Sequence, residues 1–222
     1  MAEKDDVIAQ IMAAFSSVQY PGDAYLLGSR EGDEPFDEVE PFKGKTDWKA
    51  IDAEFLDSQA GALVFFSEAA LRFYLPAYLV ADLNGLLLSA DPLFIVTHGF
   101  SEVETQIEKG DRIFRIRSGR SALVNPRRYG AMTFYDYGRF RLSVFTRGEA
   151  GAIVSYLRYR LEQATTEFEQ ESIEAALDLF WLDREKTAPA QSDLDAYLQQ
   201  QADYLEELSS GRSVENRLHG ES

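Results

Sequence analysis

The sequence predicts an α+β fold that is mainly helical, a helical core carrying a small antiparallel β ribbon around residues 112–145. Three observations lead there. The longest apolar stretch, Ala62 to Leu83, has helical character and holds Ser67, which suits the N-cap of the helix after it. Helix start and stop signals recur along most of the chain. Between Gly110 and Phe145 the pattern changes to partial alternation broken by turn residues.

Taken in order, Asp5 to Ser17 reads as a first helix. Val7, Ile8, Ile11, Met12 and Phe15 recur at helical spacing, and Asp5 and Asp6 complement the positive end of the helix dipole. Pro21-Gly22 stops it. Asp23 to Thr46 reads as a surface loop with an acidic centre, Glu31 to Glu40, and one short strand candidate at Tyr25-Leu26-Leu27. Thr46 is placed to cap a helix from Asp47 to about Leu56, with Trp48, Ile51 and Phe55 inward.

Ser67 then caps the central helical element. Pro76 inside one continuous helix would remove a backbone bond and cost about 3 kcal/mol, whereas at the first position of a second helix it would cost nothing. The sequence therefore favours a bent or broken pair, Glu68–Leu75 and Pro76–Leu83, ended by Asn84-Gly85. Asp91-Pro92 opens a further helix and Gly99 ends it after His98, although Ile95-Val96-Thr97 would also suit a strand.

In the region of changed pattern, Ile113 to Arg117 is a strand candidate and Ser118-Gly119 a turn, with Ser121 to Val124 a return. Met132–Tyr135 and Arg139–Phe145 flank Asp136-Tyr137-Gly138 as a hairpin. Thr146-Arg147-Gly148-Glu149 is a capping box opening a helix to Arg160 or beyond. Phe168 to Arg184 is another helix, with Ile173, Leu177, Phe180 and Trp181 inward. The domain reading is one globular unit over 1–186, a linker over 187–191, an amphipathic helix over 192–210 and a disordered tail over 211–222.

The central stretch also carries a resemblance. Ser67, Glu68-Ala69, Arg72, the aromatics Phe73 and Tyr74, and Leu75-Pro76-Ala77-Tyr78-Leu79 resemble the signature of a family of uncharacterised bacterial proteins. Phe42, Gly44, Lys45 and Trp48 fit it upstream, and Thr146 and Glu149, leading to Ile153 and Leu157, fit it downstream. The resemblance spans roughly Asp6 to Arg160, with 100–138 and the helices after 165 as additions. It implies no activity and no functional residues.

Composition narrows the function classes. The chain has 222 residues, no cysteine and a net charge of −16. Disulfides, thiolate metal sites and cysteine nucleophiles are excluded together. No uncharged apolar run reaches the ~18 residues of a membrane span. With no apolar leader after Met1, the expectation is a cytoplasmic protein away from membranes. The charge repels nucleic acid at long range. Yet residues 111–160 hold eleven of the 22 Lys and Arg.

Few chemistries find residues to carry them. Gly44-Lys45-Thr46 matches the end of a phosphate loop, but position 39, where the pattern needs glycine, is valine, and acids precede it. No cofactor or metal is expected. His98 and His219 are the two histidines, and His98 reads as a helix-terminal residue against the dipole. Arg72, alone on an apolar helix, expects an acid partner, with Glu54 or Asp47 as candidates, or else a ligand anion. The weak binding candidates are Arg72, Arg115, Arg117, Arg127, Arg128, Tyr135 and Arg139.

The first functional expectation is thus a non-catalytic interaction or accessory module, meeting a protein partner or a second copy through its C-terminal helix. The alternatives are an enzyme of unfamiliar type, using carboxylates with Arg72 or His98, and nucleic-acid binding through the Arg/Tyr segment 112–141.

Overall fold

The central helix is continuous. The computed structural model describes residues 3–28, 32–109, 112–124, 132–196 and 199, with the backbone course alone for 103–109 and 112–118. Its helices in chain order begin with α1 (Lys4–Ala14), α2 (Glu34–Val39), α3 (Ala53–Ser58), α4 (Ala62–Phe65), α5 (Glu68–Leu83) and α6 (Pro92–Thr97). After the strands β1 (Glu102–Lys109) and β2 (Arg112–Gly119) come α7 (Phe134–Leu142), α8 (Arg147–Gln163), α9 (Glu167–Ala176) and α10 (Leu182–Thr187). The described chain is mainly helical, as expected.

Helix α5 carries Pro76 in its interior, so the expected break between Leu75 and Pro76 does not occur. The reason is burial. Phe73 through Leu79 are all buried, so the helix is held by packing on nearly every side and the lost backbone bond is outweighed. Ser67 caps the helix, accepting from the Ala70 N–H at 3.1 Å. It ends as expected: Gly85, at φ 67°, donates to Asp82 O and Leu86 donates to Ala81 O, closing a Schellman turn.

The aromatics of the signature are structural. Tyr74 Oη lies 3.0 Å from the carbonyls of both Phe42 and Lys45, clamping the Phe42–Trp48 turn onto α5. Tyr78 donates to Gln59 O at 3.0 Å. Burial raises the pKa of both phenols, so they stay protonated donors. Helices α1, α3 and α6 pack against α5, and α1, α9 and α10 pack against α8.

Several local expectations are corrected. The acidic loop contains α2, started by Pro35 in its first turn, and a 3-10 turn over Glu40–Phe42. The strand candidate at Tyr25 is a 3-10 turn, Asp23–Tyr25, and Leu27 makes a single bridge to Phe66. The helix expected over 47–56 is two pieces: a 3-10 turn over Trp48–Ala50 capped by Asp47, then α3 capped by Asp52. Two aspartates compete as caps there, and each starts its own turn.

The hairpin expected at 136–138 is also overturned. Phe134–Leu142 is helix, capped by Thr133, whose side chain accepts from the Asp136 N–H. Gly138 is inside this helix because a Cβ there would come 3.1 Å from His98 O. Strand β2 pairs antiparallel with β1 upstream, not with Ser121–Val124. The register sets the acidic strand beside the basic one, Glu104 opposite Arg117.

The helix expected over 168–184 is interrupted. Thr166 caps α9, and Leu177–Trp181 forms a π turn before α10. Ile173, Leu177, Phe180 and Trp181 are buried, as their spacing predicts. Pro189–Ser222 is a separate unit; in it 191–196 is helical, and the rest of the expected 192–210 helix and the tail lie outside the described residues, apart from Gln199.

Candidate functional site

Arg72 finds its acid on α8. Its Nε and Nη2 donate to the two carboxylate oxygens of Glu149, at 2.8 and 2.6 Å. Glu149 is 1% exposed and its Oε2 also accepts from the Thr146 N–H at 2.9 Å. One carboxylate therefore starts α8 and fastens it to α5. Neither Glu54 nor Asp47 takes this place, and Arg72 does not line the large cleft described next.

The basic segment is divided. Arg139 is exposed, its guanidinium 5.3 Å from the Tyr135 ring centroid, and Tyr135 sits edge-on to Phe100. Arg141 is buried and donates to the carbonyls of Leu63 and Phe66. Arg120 lies 3.8 Å from Glu102. Arg127 and Arg128 lie outside the described residues, as do the side chains of Arg115 and Arg117. Of the candidates whose side chains are described, Arg72 pairs with Glu149 and Arg139 lies over the Tyr135 ring.

A different set of residues does converge. A cleft of about 830 Å³ opens between α6 and the loop before it on one side, and α8 and α9 on the other. That volume lies within the range of ligand sites, ~300–1,000 Å³. Leu88, Phe94 and Phe168 form its rim, exposed by 93%, 48% and 62%. Large apolar side chains this open, gathered round one concavity, mark an interaction site more strongly than scattered ones would.

The floor is polar and internally satisfied. Arg160 donates to Asp82 through one nitrogen and to Glu169, at 3.0 Å, through another. Tyr156 donates to the same Asp82 oxygen at 2.7 Å. Burial alone would lower the Arg160 pKa, but Tyr156, Asp82 and Glu169 outweigh it and the net shift is upward. Asp91 caps α6 by accepting from the Phe94 N–H at 2.9 Å. The hydroxyls of Ser101 and Ser172 meet at 3.5 Å.

The loop presenting Leu88 is held from behind. Asp57 Oδ1 accepts the N–H groups of Leu88, Ser89 and Ala90 at 2.8, 2.7 and 3.0 Å. The Ala90 bond foremost, then the Ser89 and Leu88 bonds, hold the Asp57 carboxyl below its ordinary pKa.

His98 forms one wall. It follows α6, lies tilted against Phe94 with centroids 4.4 Å apart and meets Phe134 in a T-shaped contact at 5.0 Å. Gly99 makes this approach feasible. It sits at φ 91°, and a Cβ there would lie 2.5 Å from Phe134 O. Burial, and then the nearby Arg141 charge, lower the His98 pKa, so the ring is neutral rather than a cation on the helix dipole.

This gives a pH prediction. The folded value lies below the ordinary histidine pKa of about 6.5, so the unfolded chain binds the proton more readily. The stability tied to neutral His98 is fully present above that ordinary value and is lost as pH falls from it toward the lowered one. The His98 ring signal in proton NMR is expected to titrate below the ordinary value, and His98→Phe to flatten stability against pH in that window. A midpoint at or above the ordinary value would contradict the burial.

The sequence pointed to His98 but not to Asp82, Arg160 or the apolar rim. Asp82 at the end of the apolar stretch, and Arg160 on an inward face, were each visible as ionisable groups on apolar helix faces. Their pairing across helices was not.

Among the described residues, no group of three or more His, Cys, Asp or Glu is placed to hold a metal, and no helix is long and apolar enough to cross a membrane. Residues 3–97 match the model of a family of unknown function (DUF6714). No curated protein and no solved structure matches. The match ends before residue 160, where the resemblance was expected to end. It includes the Asp82 and Leu88–Thr97 wall of the cleft, and the α8–α9 wall lies beyond it.

Proposed function

We propose that this protein is a non-catalytic binding module whose site is the cleft between α6 and the α8–α9 pair. The observation that carries this reading is the contrast between rim and floor. Three large apolar side chains stand open to solvent, while the ionised groups beneath them already have partners. A catalytic acid or base needs a proton it can exchange with a bound group. Asp82 and Glu169 are engaged by Arg160, and Asp91 by its own helix. Among the described residues, no hydroxyl or carboxylate hydrogen-bonds the His98 ring, so no nucleophile–base relay is assembled. Such a site favours recognition through apolar burial, with the polar floor fixing orientation.

Uptake of the neutral dye Nile red tests this. The chain is expected to bind it with a blue-shifted emission, and Phe168→Asp to weaken binding about tenfold or more, since burying one large apolar side chain contributes roughly 1.5–3 kcal/mol. Phe168 is exposed, so the fold should survive the change. A chain that takes up no dye, or a variant that binds it as well as the parent, would overturn the reading.

A further inference from the structure

Resting on the reading of the cleft as a binding site, we infer that its occupant is a basic amphipathic segment of a partner protein. The charge of the lining supports this. Among the described residues, three carboxylates, Asp82, Asp91 and Glu169, line the cleft with one guanidinium, Arg160. The Asp82–Arg160–Glu169 group keeps one net negative charge and Asp91 adds another. His98 adds no positive charge, because burial keeps its ring neutral. Asp57 stands directly behind the Leu88–Ala90 loop. The whole chain, at −16, steers cations inward and repels anionic surfaces at long range.

The rim supplies the other half of the match. Leu88, Phe94 and Phe168 offer apolar contacts to residues at helical spacing on one face of a docking segment. The Phe94, His98 and Phe134 rings form an aromatic corner, tilted on one side and T-shaped at the other. The face of an aromatic ring attracts a lysine or arginine head group. An acidic segment would meet two uncompensated negative charges. An uncharged one would gain nothing from that net charge.

The test uses two fluorescein-labelled peptides of about four helical turns, one of leucine and lysine in amphipathic order and its leucine–glutamate counterpart. Binding is read by fluorescence anisotropy at about 0.15 M salt. The lysine peptide is expected to bind at least about tenfold more tightly, a difference of ~1.4 kcal/mol. Non-specific attraction to an acidic protein would give the same preference, and the variants separate the two. Phe168→Asp and Leu88→Asp each add a negative charge. General attraction predicts equal or tighter binding to them; docking on the rim predicts several-fold weaker binding. Equal affinity for the two peptides, or undiminished binding of the lysine peptide by both variants, overturns the inference. If that happens while Nile red still enters and is still expelled by Phe168→Asp, the cleft stands as a binding site and the basic occupant alone falls.

Discussion

Glu149→Gln is expected to lower stability by about 3–5 kcal/mol, because a buried carboxylate that receives two guanidinium N–H bonds is replaced by a neutral amide. Glutamine can still accept the Thr146 N–H, so the start of α8 survives. It cannot neutralise Arg72, whose guanidinium is held by both carboxylate oxygens. The Arg72 side chain is 14% exposed. The double change Arg72→Met with Glu149→Gln should recover most of the loss, since an apolar pair of similar size needs no charge partner. Urea denaturation of the two single variants and the double variant measures this directly. A loss under about 1 kcal/mol, in the range of exposed pairs, would contradict a strong buried Arg72–Glu149 pair.

Trp181→Ala is the second large effect, at about 3–5 kcal/mol, the usual cost of emptying a core site of this size. Trp181 is fully buried, with its ring against Phe145 and Phe180. Its Nε1 donates to Val96 O at 2.8 Å, which ties the π turn to α6. Truncation both opens a cavity and removes a partner from a buried carbonyl. Because Leu93, Phe94, Thr97 and His98 in or beside the same helix line the cleft, binding should fall along with stability. Trp181→Phe keeps most of the packing but not the donor, and is expected to cost clearly less. Equal losses from the two changes would place the whole effect in the hydrogen bond.

Much of the helical frame was legible because local chemistry and tertiary packing agree there. Ser67, Asp91 and Thr146 each open a helix where the sequence indicates, and Asn84-Gly85 closes one. Disagreements fall where packing overrides local preference. Pro76 should break α5, yet burial on nearly all sides keeps the rod continuous. Gly138 suggests a hairpin, yet its missing side chain serves the close approach of α7 to the His98 carbonyl. The hydroxyl of Thr133, three residues before Asp136, was the helix signal that the hairpin reading passed over.

The candidate site was less legible, for a physical reason. Its residues come from Asp82, from 88–101, from Gly119, Phe134 and Arg160, and from 168–173, and no local pattern joins them. An apolar residue on a solvent-facing rim has the same sequence signature as one in the core, so Leu88 and Phe168 carry no sign of their exposure. Arg72 shows the converse. It stood out as a lone charge in an apolar helix, and its partner proved to be a distant structural glutamate.

The central claim is that ligands enter at the α6–α8–α9 cleft, and amide chemical-shift mapping with a neutral naphthyl alcohol tests it most directly. The perturbed amides are expected to cluster over Leu88–Ser101 and Phe168–Ile173, with the His98 ring signal moving in step. Perturbations gathered instead over the basic segment 112–141, with Leu88–Ser101 and His98 unmoved, would contradict it.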